Sequence, residues 1–210
     1  MRLRITFAKQ GALRYTGQID LHRIWERSAR RADLPLAYSR GFRPQPKIQL
    51  AAALPLGFSS RCEVVDLRLE RDVPLDGLTA RIQSAVPPGL TILAVEQQDE
   101  GAPALGRLIE SAEYEVALLE PVDLDDLRQQ IAALMAAASL SRERRGKRYD
   151  LRPLIDELTL RPSDPPILQM RLAAREAATG RPDEILEELG IPLEDTRVER
   201  TRLIVREPNP

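Results

Sequence analysis

A succession of strand, helix, strand, strand, helix, strand, met twice along the 210 residues, predicts an α+β protein whose helices cover one face of each antiparallel sheet. Three observations carry this reading. The chain opens on a clean two-residue alternation, a segment of linker composition interrupts its middle, and the same succession restarts beyond that break.

In the first half, Leu3, Ile5 and Phe7 fall on one side of a strand while Arg2, Arg4 and Thr6 fall on the other. After a Gly-containing turn, Asp20 is placed to cap a helix in which Leu21, Ile24, Trp25, Ser28 and Ala29 recur at helical spacing. Arg23, Arg27, Arg30 and Arg31 lie off that stripe, and the helix ends before Pro35. A Gly/Pro loop from Ser39 to Pro46 leads into an apolar strand, Ile48 to Leu54, then a turn at Pro55-Leu56-Gly57 and an alternating strand, Glu63 to Leu69. Leu75 to Val86 reads as a second helix stopped by Pro87-Pro88-Gly89, and Thr91 to Val95 as the fourth strand.

Gly101, Pro103 and Gly106 mark the break. Beyond it, Glu113 to Leu119 alternates as a strand, and Asp123 caps an alanine-rich helix reaching about Ala138. Two extended stretches follow, Lys147 to Leu160, interrupted by Pro153, and Ile167 to Arg175. Pro182 opens a helix through Leu189, with Asp183 and Glu184 near its positive end, and Val198 to Arg206 closes the series. Each half has the split βαβ order of a ferredoxin-like domain. The expected organisation is therefore two tandem ferredoxin-like domains, residues 1–97 and 110–210, joined by a linker at 98–109. Arg2 with Arg4, Arg171 with Arg175, and Arg200 with Arg202 are expected on the sheet faces away from the helices, where guanidinium groups suit phosphate. Solvated arginine on an open sheet face is the plainer alternative.

Composition narrows the function. With 43% hydrophobic and 30% charged residues, no run of eighteen apolar residues and no apolar N-terminal block, the chain reads as an ordinary globular protein expected in the cytoplasm, away from membranes. One cysteine, Cys62, cannot form an intrachain disulfide or hold an iron-sulfur cluster, and one histidine, His22, argues against a His-rich metal site. No cofactor or metal is expected.

Charge is segregated. The first fifty residues hold 11 Lys or Arg against 3 Asp or Glu, an excess of +8, which leaves −9 in the remaining 160. A basic stretch on a near-neutral protein is a footprint of a phosphate-bearing partner. The expected nucleic-acid contacts are Arg14, Arg23, Arg27, Arg40, Arg43 and Lys47, with Phe42 and Tyr15 as stacking groups, and a second basic run of Arg144, Arg145, Lys147 and Arg148. The loop Ser39 to Lys47 leads among these, because Pro44 and Pro46 restrict the backbone beside two arginines, a lysine and an aromatic ring. A rigid connector with Phe42 buried is its structural alternative, and a hairpin tip is that of the second run.

The segments Leu13-Arg14-Tyr15, Ile19-Asp20-Leu21, Arg30-Arg31-Ala32, Leu34 to Ser39, Gly41-Phe42 with Pro44 and Pro46-Lys47-Ile48, and Leu54-Pro55-Leu56-Gly57 resemble a bacterial family. So do Glu63, Asp66, the run Asp150 to Ile155, and Arg200-Thr201. The chain resembles the radical-SAM-linked proteins, a domain of unknown function fused to, or encoded beside, a radical SAM protein with a cobalamin-binding domain. That resemblance implies a radical SAM partner and, through gene neighbours such as ribonuclease G and ribosomal proteins, work on RNA. Many members of that family carry histidine where this chain has Gln18 and Gln45. Glutamine does not titrate, so either the family's histidines act here as hydrogen-bonding or stacking groups, the preferred reading, or this member has lost a reaction.

The chain lacks the three-cysteine motif of a radical SAM enzyme. An endoribonuclease of the RAMP type would use His22 as general base with Tyr15 or Lys47. A pseudouridine-synthase-like enzyme would use Asp20 as nucleophile near Arg14, against the simpler role of helix cap. The residues and the resemblance together lead to a non-catalytic, RNA-binding or substrate-presenting accessory of a radical SAM partner, with tRNA or rRNA modification or processing as its setting. The alternatives are the nuclease and a protein-docking module.

Overall fold

The opening alternation forms strand β1 (Arg2–Lys9), with Leu3, Ile5 and Phe7 wholly buried. The computed structural model describes residues 1–144, 146–175 and 178–206, and the chain divides into two units, Met1–Leu108 and Ile109–Pro210. Each is a mixed α+β structure with antiparallel strand pairing.

In the first unit, a 3-10 turn at Gly11–Tyr15 follows β1 and leads to α1 (Gln18–Arg31). Next come β2 (Ile48–Leu50), β3 (Ser59–Arg68), α2 (Leu78–Ala85), β4 (Leu90–Gln98) and a single turn, α3 (Leu105–Leu108). The sheet order is β4-β1-β3-β2. Trp25 of α1 lies wholly buried against Phe7 of β1, their rings edge to face with centroids 4.8 Å apart. Around them pack Leu21 and Ala29 of α1, Val65 and Leu67 of β3, and Ile82 of α2. Gly89 is required at its position: its φ is 95°, and a Cβ there would stand 2.7 Å from the Gln10 carbonyl oxygen.

Strand β3 begins at Ser59, four residues before the expected Glu63, and β4 runs on to Gln98, beyond the expected Val95; three further boundaries shift for readable reasons. Helix α1 begins upstream of Asp20, because Leu21 N–H already bonds the Gly17 carbonyl at 2.9 Å; Gly17 is the N-cap, and no side chain caps this end. Asp20 therefore sits inside the first turn. Helix α2 starts at Leu78 because Gly77 adopts φ 68° and breaks the stretch before it. Strand β2 stops at Leu50, where the alanines at 51–53 replace the larger side chains that suit a strand.

The second unit contains β5 (Ile109–Leu118), α4 (Leu124–Ala136), a hairpin of β6 (Ser141–Arg144) and β7 (Lys147–Asp150), and a 3-10 turn at Arg152–Leu154. Then follow β8 (Ile155–Arg161), β9 (Ile167–Arg175), β10 (Ala178–Thr179), α5 (Pro182–Glu188) and β11 (Thr196–Val205). The order is β11-β5-β9-β8, with β10 also pairing β9. Asp123 caps α4 as expected: its carboxylate accepts from Asp125 N–H at 2.9 Å and Asp126 N–H at 3.1 Å. The extended stretch expected from Lys147 to Leu160 is split at Pro153, so that β7 pairs with β6 and β8 with β9.

Asp150 and Arg152 hold this junction together. The Asp150 carboxylate accepts from Leu140 N–H at 2.8 Å and Arg152 N–H at 3.0 Å, and the Leu140 bond leads the causes that hold its pKa below the usual carboxylate value. The Arg152 guanidinium donates to the Met135 carbonyl near the end of α4 and to the Ile155 carbonyl, satisfying acceptors that the helix terminus and the turn leave open. Among the described residues, no helix is long and apolar enough to cross a membrane.

Candidate functional site

The loop after α1 is a finger with a tied base. Ser39 N–H bonds the Gln45 carbonyl and Gln45 N–H bonds the Ser39 hydroxyl, both at 2.9 Å, and a Tyr38–Pro46 bridge lies just below. Lys47 N–H then bonds the Ala37 carbonyl at 2.8 Å, joining the finger to the sheet edge. Between these ties Arg40, Gly41, Phe42, Arg43 and Pro44 are all exposed, and Phe42 is wholly so at 109%. Phe42 is thus not a buried connector. Arg27, Arg31, Arg40, Arg43 and Lys47 have no acidic partner among the described residues. An aromatic ring flanked by uncompensated guanidinium groups on a restrained loop is suited to stacking and phosphate contact.

Beside the finger runs a groove of about 510 Å³ between α1 and β2. One wall is the α1 face bearing Gln18, His22 and Glu26 at four-residue steps, with Ile19 and Arg23 alongside; the other carries Gln45, Ile48, Gln49 and Leu50. Gln45 is both foot of the finger and wall of the groove. The charges here are compensated: Arg23 bonds Asp20 at 3.2 Å and Glu26 accepts from Arg30 at 2.9 Å. The lining that remains is amide, imidazole and aliphatic. Gln49 Oε1 accepts from Leu105 N–H at 3.2 Å, which anchors that amide.

The other expected residues of the first unit are partly committed. Arg14 donates to the Tyr15 hydroxyl at 2.7 Å and lies 4.7 Å from the ring centroid, so the two form one exposed pair. Asp20 faces Arg23 in an exposed ion pair, not Arg14. His22 and Lys47 line different hollows, since Lys47 borders a smaller one of about 250 Å³ with Arg2, Asp66 and Arg68.

Of the arginines expected on open sheet faces, Arg2, Arg4 and Arg171 meet acids instead, whereas Arg175 is exposed. Arg2 and Asp66, 2% and 3% exposed, form a buried pair through Arg2 Nε (2.9 Å) and Nη2. Residues 102 and 103 fold over this face, and their carbonyls accept from Arg2 at 2.7 and 2.8 Å. Arg4 stands directly opposite Asp66 in the β1–β3 register and shares the same carboxylate. In the second unit Arg171 stands opposite Glu113 and bonds it at 2.9 Å, with Glu157 at 3.6 Å. Arg200 is buried with its guanidinium 5.6 Å from the Tyr114 ring centroid, whereas Arg202 is exposed. A bulge between them breaks the alternation that had put both on one face.

The second basic run forms the β6–β7 hairpin, and Arg145 lies outside the described residues. Arg144 is committed to the second unit's own packing: it bonds Glu184 at 2.6 Å and the Thr179 carbonyl at 3.1 Å, and lies over the Tyr149 ring. Burial opposes the Arg144 charge, yet the hydrogen bond and charge of Glu184 hold its pKa above the usual value. Arg142 likewise meets Glu187 and Glu188. Lys147 and Arg148 are exposed without an ion pair among the described residues. Among those residues no group of three His, Cys, Asp or Glu stands close enough to hold a metal.

Gln45, Ile48, Gln49 and Leu50 enter the groove without having been singled out as a wall. Only the fold brings them opposite residues 18–26.

A bacterial family described as "uncharacterized protein conserved in bacteria (DUF2344)" matches residues 2–182. No curated protein matches the chain. Among solved structures, a chain of a Cbf5-Nop10-Gar1 complex aligns over 96% of this chain at a TM-score of 0.53 and 12% identity, a likeness of fold. This chain spans 48% of that one. A protein described as unknown, from Galdieria sulphuraria, aligns over 98% of both chains at 11% identity and a TM-score of 0.29.

Proposed function

The chain belongs to the DUF2344 family of bacterial proteins, and we propose that it is a non-catalytic accessory that binds single-stranded RNA and presents it to a radical SAM partner. The observation that carries the reading is the finger: Arg40, Phe42 and Arg43 project from a closed base, with Lys47 and Arg27 likewise uncompensated. Cations already paired within a fold offer little to a phosphate, and these have no acidic partner among the described residues. The proposal treats each unit as a ferredoxin-like domain, on the matching strand orders β4-β1-β3-β2 and β11-β5-β9-β8, and assigns the chain to the cytoplasm.

An enzyme-facing surface has its own support. Tyr15 (64% exposed), Leu56 (60%) and Ile19 (72%) gather near the start of α1, where Gly57 N–H bonds the Arg14 carbonyl at 2.8 Å and Leu56 lies 3.8 Å from where a Cβ on Gly17 would stand. An apolar cluster of this kind suits a protein contact. The test is fluorescence anisotropy with labelled single-stranded RNA. Affinity is expected to fall steeply between low and moderate salt, and to fall at fixed salt when Arg40, Arg43 and Lys47 are changed to Glu without loss of thermal stability. Absent or salt-independent binding overturns the RNA reading. Partner capture from RNase-treated material, lost in Leu56→Asp, would then favour docking alone. RNA cleavage abolished by His22→Ala would favour the nuclease.

A further inference from the structure

We infer that the groove between α1 and β2 receives a single unstacked nucleobase and discriminates among bases, while the finger holds the adjoining phosphates and stacks the next base. This rests on the RNA-binding reading and adds to it a site that reads sequence. The division of labour follows from where charge is cancelled. Arg23 is bonded to Asp20 and Glu26 to Arg30, so the groove's titratable groups other than His22 are neutralised in place, whereas the finger's cations are not. A phosphate is drawn to the finger; a neutral group able to hydrogen-bond has its counterpart in the groove.

The uncommitted groups fit the edge of a base. The side chains of Gln18, His22 and Gln45 make no hydrogen bond to the described residues. A glutamine amide presents a donor and an acceptor side by side, the pattern that pairs in two places with a base edge. Ile19, Ile48 and Leu50 supply apolar surface for the flat face of a base, and a volume of about 510 Å³ is within the range of sites that take small molecules. Pre-organisation comes from both walls. Gln18 and His22 ride on an α-helix one turn apart, and Gln45 is fixed through its backbone at the tied foot of the finger. An extruded base is the form in which proteins read single-stranded RNA.

The experiment measures affinities for labelled oligonucleotides of uridine, cytidine and adenosine and for one with an abasic position, at one salt concentration, for wild type and for Gln18→Ala, Gln45→Ala and His22→Ala. Circular dichroism and thermal melting check that each variant is folded. Wild type is expected to prefer one base over the others and over the abasic strand. Gln45→Ala or Gln18→Ala is expected to reduce that preference by roughly 5- to 100-fold, with the salt dependence unchanged. The triple Glu variant of Arg40, Arg43 and Lys47 should weaken all strands alike and leave the ratio intact. Steep salt-dependent binding without base preference, or a preference that survives in all three groove variants, overturns the groove inference and leaves RNA binding standing. No binding by wild type overturns both.

Discussion

Arg2 and Arg43 belong to the same basic N-terminal stretch, yet one is buried against a carboxylate and two carbonyls and the other stands in solvent with no acidic partner among the described residues. The difference lies in secondary structure. Pairing of strands brings distant residues side by side: Arg4 faces Asp66 across 62 positions of sequence, Arg171 faces Glu113 across 58, and Arg2, itself opposite Arg68, reaches the same Asp66 carboxylate diagonally. A residue on a tied loop acquires no such partner. Local charge excess therefore counts cations but does not say which of them are available to a ligand.

The largest effect that sharpens this contrast is on stability. Asp66→Ala leaves Arg2 buried without its carboxylate and is expected to cost about 3–5 kcal/mol. Arg43→Ala, on the finger, is expected to change stability by less than about 0.5 kcal/mol. Urea unfolding of both variants checks the pair, and adding Arg2→Met to Asp66→Ala should recover part of the loss. Equal effects at Asp66 and Arg43 would break the contrast.

A smaller effect concerns the finger's aromatic. Phe42→Ala is expected to weaken binding of single-stranded RNA by about tenfold, the lower part of the range for base–aromatic stacking, with no shift in melting temperature. The smallest compares two aspartates. Asp123→Ala removes a true N-cap and is expected to cost about 1 kcal/mol, whereas Asp20→Ala removes only an exposed ion pair and should cost at most a few tenths. Thermal denaturation of the two variants ranks them, and the reverse order would contradict the assigned helix starts.

Legibility in the sequence followed the range of the interaction concerned. Asp123 was readable as a cap and Pro182 as a helix opener because both act within one turn. Asp20 was not, since the helix is nucleated three residues earlier by a backbone bond that any residue type can make. The finger was readable from its glycine, prolines and cations, all consecutive. Its groove was not, because the opposing walls, residues 18–26 and 45–50, are separated in sequence and meet only when β2 joins the edge of β3. The basic run after α4 was visible as charge, but Arg142 and Arg144 spend theirs on Glu184, Glu187 and Glu188, an arrangement that depends on how the hairpin folds over α5.

The most direct test of the central claim, that uncompensated finger cations receive RNA phosphates, is the slope of log affinity against log salt for single-stranded RNA, measured on wild type and on the Arg40, Arg43 and Lys47 to Glu variant. Three lost phosphate contacts should make the slope shallower by roughly 2. An unchanged slope, or a wild type that does not bind, would contradict the account.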